Sequence, residues 1–228
     1  MNNHDFIARL KEWSSQKHEL PKYPGATRIL SATKDMEGLA AWRQKVGDQE
    51  AERILVESQN IGTSLDKLVE DHFNIPGFVD TVKQSPRSSE IGYSLYESMQ
   101  PQLRRIVSGG TQVPVWSDKL KIKGFIDIAG LFDSTPTVID IKNSRKPKRA
   151  EWIEDYFLQT TMYALACHDS IGVDIKQVAI IMGVRPGEKH PQEVQVFVEP
   201  IRKYASKAIT RIKEYHANND YLKQKEIE

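Results

Sequence analysis

Between Gly124 and Lys142 the chain reads G-F-I-D-I-A-G-L-F-D-S-T-P-T-V-I-D-I-K, and three of its side chains have the types and spacing to do chemistry together. Asp127 lies in the first of two alternating apolar runs, and Asp140 and Lys142 lie in the second. Side chains alternate faces along a strand, so Asp140 and Lys142 project to one side while Ile139 and Ile141 project to the other. The turn formers Asp133-Ser134-Thr135-Pro136 predict a hairpin-like return that brings Asp127 near Asp140. Two carboxylates and an ammonium on one rigid face make a divalent-cation site with a cation beside it. Taken alone, that set fits any metal-dependent hydrolase, phosphodiester hydrolysis included.

Phosphodiester hydrolysis needs an activated water, neutralisation of charge on phosphorus and stabilisation of the leaving oxygen. Mg²⁺ or Mn²⁺ held by oxygen ligands supplies most of this. Asp127 and Asp140 are the obvious ligands, and the backbone carbonyl of Ile141 is a third oxygen between Asp140 and Lys142. A protonated Lys142 is no ligand. It can orient the attacking water and offset charge on the phosphorus, and nearby metal charge could lower its pKa toward a base's range. Beyond it come Asn143, Ser144, Arg145, Lys146, Pro147, Lys148 and Arg149, four cations in seven residues. From Lys119 to Arg149 eight Lys and Arg stand against three Asp, a local excess of five where the whole chain carries only +1. Such a run is either a solvated loop or a path for a phosphate backbone. Ser144, Arg145, Lys146, Lys148 and Arg149 are therefore the candidate DNA-binding residues. Nucleotide-binding, serine-hydrolase and zinc-protease motifs are absent, and the six His have no ligand spacing.

The elements that must position these groups follow from periodicity. Apolar spacing predicts a short N-terminal helix, a Pro21–Gly25 breaker and an extended or capping segment over Ala26–Leu30. A helix follows through Met36, Leu39, Ala40, Trp42 and Val46, divided at Gly47 from Ala51, Ile54 and Leu55. Asn60-Ile61-Gly62 reads as a break, with a new helix from Leu65 to Phe73 capped by Thr63 or Ser64. On that helix Asp66 and Glu70 sit one turn apart, either as solvated charge or as the completion of the acidic set. The segment 75–89 reads as a loop. A helix through Ile91, Leu95 and Met99, broken or kinked at Pro101, extends to Val107 and ends at Ser108-Gly109-Gly110. Strands are expected over Val113–Trp116, Leu120–Leu131, Val138–Lys142, Gln177–Val184 and Glu193–Val198. A helix over Glu151–His168 carries Trp152, Tyr156, Gln159 and Tyr163 in one stripe, and a closing helix runs from Ile201 to Leu222. Aromatic stripes are usually core, but a buried amide needs partners, so Gln159 makes sense if the stripe faces the carboxylates. The order describes an α/β core behind a mainly helical N-terminal portion. We expect one domain over 1–228, with 1–110 helical and 111–228 holding the sheet.

With 39% hydrophobic and 28% charged residues, composition is that of a globular protein, and no window has the apolar length of a membrane span. Met1 to Asp5 lacks a basic n-region, and Asp5 and Glu12 argue against a transit peptide, so an intracellular, cytoplasmic protein is expected. A single cysteine, Cys167, precludes an internal disulfide and a four-cysteine iron–sulfur cluster.

Gly124-x-x-Asp127, Asp140-Ile141-Lys142 and Gln159-x-x-x-Tyr163, in this order, resemble the core motifs of the PD-(D/E)XK nuclease superfamily, in its RecB-like exonuclease branch. Within that branch the chain resembles the mitochondrial genome maintenance exonuclease family and its phage and bacterial relatives. The likeness runs through Tyr23–Leu30, Leu39 and Trp42, Val138–Lys148 and Gln159–Asp169. It implies a restriction-endonuclease-like core, a central mixed sheet flanked by helices, and Mg²⁺- or Mn²⁺-dependent exonucleolysis of single-stranded DNA or flaps in replication, recombination or repair. It also implies that Gln159 and Tyr163 position the phosphate and the surroundings of Lys142. The family's glycine-led helix usually carries His and then Glu four residues on; here Gly62 leads to Asp66 at the His position, making Asp66 a candidate metal ligand. Cluster-free exonucleases are the closer match. A monomer is expected, with Tyr23 or Trp42 as base-stacking surfaces. The alternatives are a structure-specific endonuclease on the same core and a non-catalytic DNA-binding module on a nuclease fold.

Overall fold

A computed structural model describes residues 1–33, 37–82 and 89–225, with the side chains of 37–39 and 220–225 outside the description. Helices α1 (Asn3–Ser14), α2 (Ala26–Ala32), α3 (Glu37–Val46), α4 (Asp48–Asn74), α5 (Phe78–Thr81) and α6 (Glu90–Leu103) precede the sheet. Strands β1 (Ile106–Ser117), β2 (Ile122–Phe132) and β3 (Thr135–Ser144) are followed by α7 (Glu154–Ile171), β4 (Gln177–Val184), β5 (Glu193–Pro200) and α8 (Ala205–Lys225). The five strands lie in sequence order, antiparallel except for β3 beside β4, which run parallel with α7 as the crossover. The α/β class, the mixed sheet and the helical N-terminal portion are as expected.

Two hydrophobic layers cover the sheet. On one face Phe6, Leu10, Ile29, Phe157, Leu158, Met162 and Ile212 bring α1, α2, α7 and α8 against Val138, Val178 and Ile180. On the other Ile61, Leu65, Leu95, Met99 and Leu103 bring α4 and α6 against Ile139, Ile141, Ala179 and Ile181. The period of two along β3 and β4 thus divides neighbouring residues between the layers, as pleating requires. Cys167 lies fully buried in the first layer, where the cost of burying a thiolate pushes its pKa up to about 12.

Several local readings change. Ala26–Ala32 is a helix, not an extended segment: Ala26, Ile29 and Leu30 share a buried face against α7 and α8, and Arg211 donates to Leu30 O (2.8 Å), satisfying a last-turn carbonyl. Asn60-Ile61-Gly62 does not interrupt α4, which continues for 27 residues; Gly62 is kept for close packing, described below. Gly47, at φ 85°, does separate α3 from α4. Pro101 lies inside α6, and Ile106 and Val107 belong to β1, whose Gly109 is an extra residue bulged out of the β1–β2 register. Trp152 stands in a 3-10 turn ahead of α7 and is 65% exposed, so it leaves the stripe. The predicted helical position Met36 lies outside the described residues, as does 83–88 of the predicted loop; part of the rest of that loop forms α5. No described helix is long and apolar enough to cross a membrane.

Candidate active site

The hairpin closes on a two-residue turn, Asp133 and Ser134, both left-handed (φ 49° and 63°), with Thr135 and Pro136 already in β3. Such turns match the twist of the strands they join. The β2–β3 ladder runs from Phe132 opposite Thr135 to Ile128 opposite Ile139 and ends there. Beyond it β2 stays paired with β1, and β3 with β4 through Asp140–Ile180 and Lys142–Met182. The sheet therefore forks, and Asp127 and Asp140 are the first residues past the fork.

Asp127 replaces the missing rung: its Oδ2 accepts the Ile141 N–H at 2.9 Å. Alternation changes phase here, since Ile122 and Ile126 pack in the α7 layer but Ile128 in the α4 layer. Facing this point on β1 is Gln112, at φ 46°, a conformation uncommon for a residue with a Cβ. The change of phase falls where the carboxylate enters the fork.

Asp140 and Lys142 point to the α7 side, with Val138. Asp140 is 4% exposed, and its Oδ2 pairs with Lys142 Nζ yet accepts no well-directed hydrogen bond. Lys142 Nζ also donates to Ile141 O (3.3 Å) and sits 5.3 Å above the Tyr156 ring. Burial disfavours the ammonium, but Asp140 and Asp127 outweigh it and hold the Lys142 pKa above its ordinary value. Without an ion, Lys142 is a firm cation rather than a base. Burial raises the Asp140 carboxyl, with Lys142 opposing.

Two helices complete the site from opposite faces. From α7, Gln159 Nε2 donates to Tyr163 OH (3.3 Å), and the buried Tyr163 hydroxyl is raised by desolvation and by Asp140 and Asp127. Gly124 lets this ring in: a Cβ there would stand 2.2 Å from Tyr163 Cε1. From α4, Asp66 is pushed up to about 7 by burial first, then by Asp127 and Asp140, with Lys142 opposing. Its neighbour Glu70 points to the helix surface and pairs with Lys67 (3.5 Å), which also holds Asp71 (2.8 Å).

The structure thus brings together Asp127, Asp140, Lys142, Tyr163, Gln159 and Asp66, with the Ile141 carbonyl at the fork. The basic run is less uniform. Arg145, Lys146 and Arg149 are exposed, with the Arg149 guanidinium 5.3 Å over the Trp152 ring. Ser144 is buried, and its hydroxyl closes a local turn by donating to Lys146 O (2.7 Å). Lys148 is half-buried, its N–H donating to Gln195 Oε1 (2.8 Å). Tyr23 lies over the β1–β2 turn, donating to Asp118 (2.7 Å), and Trp42 is half-buried on α3. Sequence reasoning missed Asn143 and Arg185, which join β3 to α4. The available signals were a glycine within a helical run, an asparagine directly after D-x-K and an arginine ending an apolar strand. An open cavity of ≈ 620 Å³ along the first half of α4 is lined by Glu52, Arg53, Val56 and Glu57 among others, a poor path for a polyanion.

The donor set fits a hard divalent cation on two grounds: a buried Asp140 carboxylate oxygen without a directed hydrogen bond, and an Asp66 whose charged form is disfavoured by burial first and then by Asp127 and Asp140. Among the described residues no three His, Cys, Asp or Glu side chains form a ready-made cage.

The mixed sheet thus forks with acidic residues and a lysine at the split. A family model for the PD-(D/E)XK nuclease superfamily matches residues 8–223, and the chain belongs to that superfamily. A comparison with curated proteins finds no match. Among solved structures the chain is similar to LHK-Exo in complex with dAMP (14% identity, 97% of this chain and 96% of that one, TM-score 0.34). It is likewise similar to an alkaline exonuclease, LHK-Exo, from Laribacter hongkongensis (12% identity, the same coverage, TM-score 0.34).

Proposed function

We propose that the protein is a Mg²⁺- or Mn²⁺-dependent exonuclease of single-stranded DNA or flaps. The observation that carries this reading is the convergence at the fork of Asp127, Asp140 and Lys142 with the Gln159–Tyr163 pair and Asp66. Asp127, Asp140 and the Ile141 carbonyl would hold the ion, with Asp66 as the additional carboxylate. When bound, the ion supplies Lewis-acid polarisation of the phosphate and a more acidic water. Lys142 offsets negative charge on the reacting phosphate and orients the attacking water, and its link to Asp140 keeps the ammonium on the fork axis. Tyr163, fixed by Gln159 and by the absent side chain of Gly124, orients a phosphate oxygen. Arg145, Lys146 and Arg149 draw the backbone in, and Trp152 beside Arg149 offers an exposed aromatic face for a base.

End-labelled single-stranded DNA incubated with Mn²⁺ tests the reading. Shortening from an end by the wild type, abolished in Lys142→Ala, is expected; equal cleavage by the two would overturn the mechanism. A circular single strand should stay intact, and its cutting would assign an endonuclease instead. Binding of DNA without metal-dependent hydrolysis would leave only a binding module.

A further inference from the structure

The residue after the catalytic-site lysine is the centre of a second polar cluster, which the proposed chemistry does not use. Asn143 Oδ1 accepts from Arg185 NH2 at 2.7 Å, and Asn143 Nδ2 donates to Ser58 O of α4 at 3.2 Å. Arg185 is 6% exposed at the end of β4 and donates to Glu57 Oε1 (3.2 Å) and Ser58 Oγ (3.1 Å), both on α4. Its main-chain N–H donates to Ser144 O (2.9 Å). One guanidinium therefore ties β4, the end of β3 and the middle of α4 together. Its Nε is buried and unpaired. A merely stabilising ion pair is seldom built this way, because burying a guanidinium costs more than a single half-exposed carboxylate returns.

The helix is docked here at close range. A Cβ on Gly62 would lie 3.3 Å from Asn143 Nδ2, so α4 rests directly on the asparagine. Ser58, Gly62 and Asp66 are spaced by four and share one face of α4. The first two meet Asn143, and the third, one turn on, lies close enough for Asp127, Lys142 and Asp140 to act on its charge.

We propose that Arg185 is a positioning residue: through Asn143 it sets how closely α4 approaches β3, and so whether Asp66 reaches the fork of Asp127 and Asp140. This rests on the nuclease reading for its consequence, but the docking itself is readable without activity. Arg185→Lys keeps the charge and loses the planar fork that spans Asn143, Ser58 and Glu57. Amide hydrogen exchange over residues 58–66 should quicken by about tenfold in this variant while α7 stays protected. Mn²⁺ uptake measured calorimetrically without nucleic acid should weaken by about 10–100-fold, the usual range for supports of metal ligands. In DNA cleavage kcat should fall with KM held within twofold, a split that general loosening would not give. Asn143→Ala removes the Asn143 bonds to Arg185 and to Ser58 O while the guanidinium keeps Glu57 and Ser58 Oγ, and should repeat the pattern, which keeps the test open if Arg185→Lys fails to fold. Unchanged exchange over 58–66, Mn²⁺ uptake within twofold of wild type, or a uniform rise of exchange along the chain would each overturn the proposal. If the wild type neither takes up Mn²⁺ nor cleaves DNA, the nuclease reading falls, while exchange over 58–66 still decides the docking role.

Discussion

The two helices that reach the fork are held in different ways. On one face α7 is seated by apolar packing, with Phe157, Leu158, Thr160 and Met162 within 1% of full burial, and its Tyr163 ring lies over a glycine that leaves no slack. On the other face α4 is apolar-packed at Ile61, Leu65, Leu68 and Val69, and on the turns before Asp66 it is also tied down by hydrogen bonds from Asn143 and Arg185 to Ser58 and Glu57. Packing fixes a position steeply and without regard to charge, whereas a polar clamp fixes it less steeply and answers to its ionic surroundings. The group delivered by α7 is a neutral phenol; the group delivered by α4 is a carboxylate whose charge depends on whether an ion is present.

The largest expected effect lies where both helices converge. Lys142→Ala should lower kcat by about 10²–10⁴-fold, the range for a positioned proton-handling or charge-offsetting group, with DNA binding by gel shift retained. Retained cleavage would place the reacting phosphate elsewhere. The acid side of the comparison shows in pH. Asp66 sits near 7 folded against the ordinary carboxylate value unfolded, and Asp140 is also raised. A raised carboxyl stabilises the fold at low pH, and that contribution is lost as pH climbs from about 4 to about 7. Metal-free protein should therefore lose at most about 4 kcal/mol from Asp66 over that window in urea titrations. Asp66→Asn should flatten the loss, leaving the smaller part due to Asp140, and Mn²⁺ should restore stability above pH 7.

The two glycines sharpen the contrast next. Gly124→Ala forces a methyl into Tyr163 and should cost about 1–3 kcal/mol with a matching fall in Tm. Gly62→Ala gains about 1 kcal/mol of helix propensity but needs the hydrogen-bonded Asn143 to give by a few tenths of an ångström, so its cost in Tm should be smaller than that of Gly124→Ala. Equal losses at both positions would erase the distinction between packed and clamped helices. The smallest effect belongs to the entry path: Arg149→Ala should raise KM a few-fold with kcat kept and reduce the slope of log affinity against log salt by about one.

What sequence could disclose followed the same division. The hairpin, the forked carboxylates and the Gln159–Tyr163 pair declare themselves because alternation and helical spacing are local and strong. The left-handed Gln112, the change of phase at Asp127, the continuation of α4 through Gly62 and the burial of Arg185 are not local. Each is a tertiary decision: a glycine that breaks an isolated helix is tolerated when a neighbour must come close, and a lone arginine after an apolar strand looks like any loop cation. Trp152 failed for a related reason, since spacing cannot tell a residue of a 3-10 turn from the first turn of a helix. Asp66 was visible as a residue, but that it meets the fork rather than solvent depends on contacts no spacing encodes.

Asp127 completes the β2–β3 ladder with its side chain, and this gives the molecule an internal indicator. The Ile141 amide is hydrogen-bonded to one oxygen of the carboxylate proposed to hold the ion. On that proposal, an ion drawing on the Asp127 carboxylate is felt at this backbone N–H. Its nitrogen-15 resonance should move on titration with diamagnetic Mg²⁺, before any substrate is added, while amides on the closed side of the fork, such as Leu131, stay where they are.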